Sequence, residues 1–350
     1  MSAVESHAGA TPAAAASGAP ELGERDRRVL ELLAGHGDHS SAFLTFNDGT
    51  EHYLDPAIDG FVAYRPAGRG HVVQLCGPVS AAADRARLLE SFKRWAKEEK
   101  RRVTAVQLLR EDGELYARSG FTVNQFGTSY GIDLEEFTLR GTRFMKLRNK
   151  LKRSKRLGVT VDELAPGERP ADELGAVDRG WLRSKGRLAK ELKFMVGERA
   201  GRGDSQRRVF VARHEGRTIA YVTYSPVHGS RPGWLYDLTR RLPDSPPGTV
   251  ELIFHTALEQ LQAEGVRWLH LGLTPYVGFA HEHEIDGYNR VAHTIMEQMG
   301  KRAGFLYPAL TQLDFKLKWA PQVVEPEYIA WEGGVNPGAL FQLMRVTGSI

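Results

Sequence analysis

The chain has 350 residues, 41% of them hydrophobic, with 47 Lys and Arg against 43 Asp and Glu for a formal net charge of +4. That is ordinary globular material of roughly two domains, and an excess this small permits an anionic partner without identifying one. The single cysteine, Cys76, excludes a disulfide framework or a cysteine zinc site within the chain, and no window approaches the ~20 continuous apolar residues of a membrane span.

Residues 1–23, rich in Ala, Gly, Ser and Pro and without a basic or Leu-rich leader pattern, read as a disordered tail, and the protein as cytoplasmic. Structure is expected to begin with the helical spacing of RDRRVLELLAGHG, followed by strands FVAYR and HVVQLCG joined in a hairpin by PAGRG. An amphipathic helix over Ala82–Lys100, the strand VTAVQLL, a short helix through Leu115 and Tyr116, and a strand with a turn in SGFTVNQFGTSYGIDL complete a first unit, 24–140.

From Gly141 the composition changes. RFMKLRNKLKRSKR places Arg143, Lys146, Arg148, Lys150, Lys152, Arg153, Lys155 and Arg156 in one run with no acid, while Phe144, Leu147 and Leu151 recur at near-helical spacing. A basic linker helix, 141–158, is expected to dock its apolar side and project its bases, a pattern that serves phosphate contact or a solvated surface equally well.

The second unit, 159–335, repeats the order of the first. A helix near Leu174–Lys185 leads to strands RRVFVARHEG and RTIAYVTYSPV, joined at Glu215 and Gly216, and then to the strand PGWLYDLTRR. The helix GTVELIFHTALEQLQAEG, the strand VRWLHLGLTP, a polar His-bearing loop and an alternating strand in LTQLDFKLKWAP follow, with 336–350 as a C-terminal tail. The recurrence implies an α/β (α+β) fold made of a tandem pair of acetyltransferase-like (GNAT-type) units joined by the basic helix.

Within that frame, Asp237 and Arg240 end a strand, where α/β sheets collect active-site residues, and read either as a salt bridge or as a grip on an aminoacyl amine and carbonyl. Thr249 is placed to cap the helix that carries Glu251. Alternation in DFKLKW puts Lys316 and Lys318 on one strand face, free in solvent or turned into a cleft to hold phosphate. HEHE at His281–Glu284 lacks the HExxH spacing, so no metal is expected. RPAGRG at Arg65–Gly70 imitates a coenzyme A pyrophosphate loop, but it sits in a hairpin rather than before a helix. Without GxSxG and with Cys76 reading as core packing, direct transfer is expected rather than a covalent acyl-enzyme.

Taken together, SAFLTF, the turn at Gly77, SGFTVNQFG, KLRNKLKRSKRLG, WLRSKG, YDLTRRLPDSPPGTVELIF, LHLGLTP and FKLKWAPQVVEPEYIAW, spanning about Ser40 to Trp331, resemble the soluble C-terminal domain of the aminoacyl-phosphatidylglycerol synthases and its stand-alone relatives. The resemblance implies an aminoacyltransferase that uses aminoacyl-tRNA as co-substrate and no other cofactor, with the basic helix on the tRNA acceptor stem. It implies catalytic Asp237, Arg240 and Glu251 and substrate-binding Thr249, Lys316 and Lys318. The acceptor it implies is a small amine or hydroxylamine in natural-product (antibiotic) assembly, with phosphatidylglycerol at the membrane surface as the alternative and peripheral contact with anionic lipid. A non-catalytic tRNA-binding module and a coenzyme A-dependent acetyltransferase are more distant alternatives.

Overall fold

In the computed structural model, which describes residues 22–186, 193–199, 201–302, 309–335 and 337–349, the near-continuous apolar runs of the sequence become strands buried on both faces. Helix α1 (Glu24–His36) and a 3₁₀ turn (Ala42–Phe46) precede β1 (Glu51–Leu54), β2 (Gly60–Ala67) and β3 (His71–Ser80). Helix α2 (Arg85–Glu98), β4 (Arg102–Leu108), α3 (Arg110–Arg118) and β5 (Phe121–Asp133) complete the first half. Basic helix α4 (Met145–Arg156) leads to β6 (Thr160–Leu164), α5 (Ala171–Ser184), β7 (Arg208–His214), β8 (Arg217–Val227) and β9 (Gly233–Arg241). Then come α6 (Thr249–Ala263), β10 (Trp268–Pro275), α7 (Arg290–Arg302), α8 (Ala309–Leu317), β11 (Val323–Glu332) and α9 (Pro337–Val346).

Among the described residues the strands form one continuous eleven-stranded sheet in the order β1-β2-β3-β4-β11-β5-β10-β9-β8-β7-β6. Each half contains a parallel crossover, β3-α2-β4 and β9-α6-β10, which accounts for the repeat visible in the sequence. The halves are joined by their last strands: β11 runs antiparallel between β4 and β5, and β5 pairs with β10. Helices α5 and α6 cover opposite faces of the second half. Tyr221 on β8 reaches Asp178 of α5, whereas Tyr224, three residues on, packs through Tyr236 onto Phe254 of α6.

Residues 1–21 of the expected tail lie outside the described residues; several other expectations are corrected. No turn interrupts β5. Its Gly127 serves close approach, because a Cβ there would lie 2.4 Å from the Thr274 carbonyl oxygen of β10. LTQLDFKLKWAP is not a strand: α8 covers it as far as Leu317. Phe315 stacks on Tyr236, and Trp319, four residues on, packs on Phe254, while Leu317 between them is 50% exposed, so the helical period decides the face. The polar loop after β10 gives way to α7, and the 336–350 tail contains α9, whose Ala339 and Leu343 are buried.

Candidate functional site

Helix α4 behaves as its sequence demands. Phe144, just before it, and Leu147 and Leu151 are buried in the core shared with α6, while Arg143, Lys146, Lys152, Arg153, Lys155 and Arg156 are exposed. None of these six forms an ion pair with a carboxylate among the described residues, so their charges face solvent. The other two bases do structural work. Arg148 donates to the carbonyls of Leu139 and Gly141 at 2.5 and 2.7 Å, closing the turn that enters the helix.

Lys150 meets Glu251 at 2.6 Å, and Lys318 meets the same carboxylate oxygen at 3.3 Å. Burial alone would raise the Glu251 pKa, but the two ammonium groups outweigh it and hold the carboxyl below its ordinary value. Glu251 therefore ties the basic helix to α6 and to the chain just beyond α8. Thr249 does not cap α6. Gly248, at φ +92°, occupies the cap position beneath Lys150, and the Thr249 hydroxyl donates to the Pro246 carbonyl at 2.7 Å.

On the opposite face, Asp237 and Arg240 are both buried. Residues three apart in a regular strand face opposite sides. Here the β8–β9 register shifts, with Tyr224 opposite Tyr236 but Val222 opposite Thr239, so β9 carries an extra residue between them. Asp237 consequently meets Ser225 and Arg240 lies beside the Tyr221–Asp178 pair, and Tyr221 and Ser225, four apart on β8, share a face.

Asp237 accepts hydrogen bonds from Gly197 N–H and Ser225 Oγ, both at 2.6 Å, with Arg207 Nε at 3.9 Å. Burial raises its pKa against the opposing pull of Arg207, Ser225 and Gly197. The fit is tight, since a Cβ on Gly197 would lie 2.1 Å from Asp237 Oδ2. Arg207, itself buried, stacks over Phe43 and donates to Asn47 Oδ1 at 2.9 Å. Arg240 lies 4.0 Å from the Trp181 ring centroid, with its Nε 3.8 Å from Asp178 Oδ1, and Arg199 grips the same Asp178 at 2.9 Å. The D-x-x-R pair is thus held in two adjoining networks roofed by segment 193–199. A carboxylate and a guanidinium presented together can orient an amine and neutralise a carbonyl oxygen as charge develops on it.

Lys316 and Lys318 do not share a face. Lys318 joins Glu251, while Lys316 is buried and donates to the carbonyls of Gly272 and Leu273 at 2.7 and 2.9 Å, at the bulge of β10. Burial lowers the Lys316 pKa to about 7, against the opposing charge of Glu327. HEHE is a clasp: Glu284 receives Gln125 N–H at 2.8 Å and pairs with His293 at 2.5 Å. No metal-holding group occurs among the described residues. RPAGRG lies in the β2–β3 hairpin, where Arg65 packs over Phe194.

Arg207, Ser225, Asp178, Trp181 and Gly197 escaped sequence reasoning, because their partners come from three separate segments and no local spacing marks them.

With this geometry in place, the chain matches the family described as phosphatidylglycerol lysyltransferase, C-terminal, over residues 30–331. It is 24% identical over 259 residues to the phosphatidylglycerol lysyltransferase of Bacillus subtilis, covering 73% of this chain and 30% of that protein. It is 27% identical over 175 residues to the lysylphosphatidylglycerol biosynthesis bifunctional protein of Mycolicibacterium vanbaalenii, covering 47% of this chain and 15% of that protein. The chain thus spans less than a third of the length of these curated relatives. Among solved structures, L-PGS from Bacillus licheniformis superposes with TM-score 0.76 at 20% identity, covering 95% of this chain and 98% of that one. The C-terminal domain of a lysylphosphatidylglycerol synthetase from Agrobacterium fabrum gives TM-score 0.74 at 22% identity, covering 93% and 97%. At these identities the superpositions speak for the fold alone.

Proposed function

Because the chain belongs to the phosphatidylglycerol lysyltransferase C-terminal family, we propose that it is an aminoacyltransferase that moves an amino acid from aminoacyl-tRNA to an acceptor hydroxyl or amine, with phosphatidylglycerol, the lipid in its relatives' names, as the acceptor. The observation that carries this reading is the pairing of an exposed basic face on α4 with the buried Asp237 and Arg240 networks. Exposed lysines and arginines on one helix suit an RNA backbone, where they supply affinity without reading sequence.

The ester of an aminoacyl-tRNA is already activated, so the protein need only align and stabilise. The acceptor oxygen or nitrogen bonds to the ester carbonyl carbon, the bond to the ribose oxygen breaks, and the acceptor's proton ends on that ribose oxygen. Arg240 neutralises the developing oxyanion. Asp237 holds the aminoacyl ammonium or passes the proton. Glu251 keeps α4 and Lys318 in place for the tRNA, a positioning task rather than a chemical one.

A second reading is transfer to a small amine or hydroxylamine, for which a cavity of about 420 Å³ lined by both halves offers room. The test is transfer from radiolabelled aminoacyl-tRNAs, each charged with one amino acid, to phosphatidylglycerol vesicles and to small hydroxylamines in parallel, wild type against Asp237→Ala. Label in lipid supports the first acceptor and label in the small molecule the second. Failure to bind tRNA at all refutes both.

A further inference from the structure

Asp178 lies on α5, outside the D-x-x-R pattern, yet three other segments converge on it. Tyr221 and Arg240 are direct partners across the β8–β9 pairing, so their side chains leave the sheet side by side on the α5 face. The Tyr221 hydroxyl donates to Asp178 Oδ1, and Arg240 Nε stands 3.8 Å from the same oxygen. From segment 193–199, Arg199 donates through Nε and Nη2 to Oδ2 at 3.1 and 2.9 Å. Trp181, three residues on from Asp178 and hence on the same side of the helix, presents its ring to the Arg240 guanidinium at 4.0 Å. Gly180 permits the close approach of α5: a Cβ there would lie 2.3 Å from Leu242 Cδ2, two residues after Arg240.

The two oxygens of Asp178 are used differently. Tyr221 and Arg199 hold one each, so the carboxylate cannot turn to offer both to Arg240 in the two-bond pairing that arginine and carboxylate favour. Arg240 is instead kept at 3.8 Å by charge, with the Trp181 ring against it and its Nη1 donating to the Thr239 carbonyl at 3.2 Å. Burial and the Asp178 charge raise the Tyr221 pKa against the pull of Arg240 and Arg199, so the phenol stays a donor. Arg240 is buried and Arg199 and Asp178 are 20% and 26% exposed, so water screens these charges only in part. Exposed Arg179 and Lys185, the latter 5.4 Å from the Trp181 centroid, add positive charge nearby. Withdrawing the Asp178 charge therefore leaves Arg199 and Arg240 to repel each other.

We propose that Asp178 is a positioning residue for the transfer reaction: it holds the Arg240 guanidinium against Trp181, while Tyr221 and Arg199 fix the carboxylate so that it aims Arg240 without capturing it. The inference deepens the aminoacyl-transfer reading and rests on it, because the aim of Arg240 matters only if that group faces the ester carbonyl. Arg199 and Gly197 belong to one segment, so the stretch of chain that donates to Asp237 also fixes Asp178, and both networks are set together.

The experiment is a double-mutant cycle on the full chain, read as single-turnover transfer from the aminoacyl-tRNA that wild type uses. Asp178→Asn is expected to slow transfer by about tenfold to a hundredfold, the cost of a small misplacement, and to leave tRNA affinity near wild type because the α4 bases are untouched. Tyr221→Phe, which keeps every charge and serves in its place if Asp178→Asn does not fold, is expected to lose roughly tenfold, the worth of one hydrogen bond to a charged group. In Arg240→Gln, itself slower by roughly a hundredfold to a thousandfold, each substitution is expected to add less than about twofold. A second measurement needs no substrate: hydrogen exchange at Arg240 Nε, which is shielded from solvent, followed by nitrogen NMR of arginine-labelled protein and expected to quicken in either variant. Transfer at the wild-type rate in both variants, equal losses in the wild-type and Arg240→Gln backgrounds, or unchanged Nε exchange overturns the positioning role. Wild type that moves no aminoacyl group, or Arg240→Gln that moves it at the wild-type rate, refutes the transfer reading instead, and Nε exchange then decides alone whether Asp178 holds Arg240.

Discussion

Glu251→Gln tests whether this carboxylate is a tether or a reacting group. Its Oε1 receives Lys150 at 2.6 Å and Lys318 at 3.3 Å; the carboxylate is 8% exposed and the two lysines 39% and 42%. A hydrogen bond between charged groups contributes about 1.5–3 kcal/mol when shielded, and the half-exposed lysines reduce that, leaving roughly 1–2 kcal/mol for the pair. Spread over the unfolding entropy of a chain this long, the loss lowers the melting temperature by roughly 1–3 °C. The pH dependence has a definite sign. Glu251 is held below its ordinary value, so its contribution is present above the ordinary carboxylate pKa and disappears as pH falls through the lower folded value. Urea denaturation of wild type and variant is therefore expected to differ at pH 7 and to converge near pH 3. Transfer should fall only modestly, and the salt dependence of tRNA binding should persist, because the six exposed bases of α4 are untouched. A variant as stable as wild type at pH 7 but slower in transfer by more than a hundredfold would refute the tether and restore Glu251 to the chemistry.

Replacing Lys152, Arg153, Lys155 and Arg156 together by Gln removes up to four phosphate contacts. The slope of log affinity for tRNA against log salt is expected to flatten by about 3, with the fold intact by circular dichroism, and an unchanged slope places the RNA elsewhere. Gly197→Ala drives a Cβ to 2.1 Å from Asp237 Oδ2, so segment 193–199 must lift. A loss of roughly 1–3 kcal/mol in urea and a sharp fall in transfer are expected, and normal values contradict the roof over Asp237. For Lys316, held near a pKa of about 7 by burial, the unfolded chain binds the proton more readily from pH 7 to about 10. Wild-type stability gains a rising contribution with pH across that window, and Lys316→Met is expected to remove it. A rise of the same slope in the variant assigns it to other groups.

The repeat was legible because each half encodes its own hairpin and its own strand-helix-strand crossover, and these are local patterns of apolar spacing. What joins the halves was not. VVEPEYIAW has a Pro and three-residue irregularity where a strand signal wants alternation. It becomes β11 because β4 and β5 leave a slot that only a chain from the far end fills, a long-range fact with no local trace. The same holds for α8. Its alternation of apolar residue and lysine satisfies a strand template over six residues, and the helix is decided by Tyr236 and Phe254, which Phe315 and Trp319 find only at helical spacing.

The site shows the limit most plainly at Asp237 and Arg240. Spacing of three argues that two strand residues look opposite ways, and on that rule the pair could not serve one substrate. One extra residue in β9 reverses the conclusion, bringing both side chains to the α5 face, and a bulge depends on the partner strand rather than on the strand's own sequence. Cys76 carries the converse lesson. As a solitary thiol in an apolar run it reads as packing, and it is buried; yet its left-handed backbone, shared with Gln107 on the next strand, marks the place where the strands part around a cavity. Residue identity gave the core, and backbone irregularity, visible only in the fold, gave the sites. In the proposed reaction it is the β9 bulge that assembles the groups that stabilise the ester.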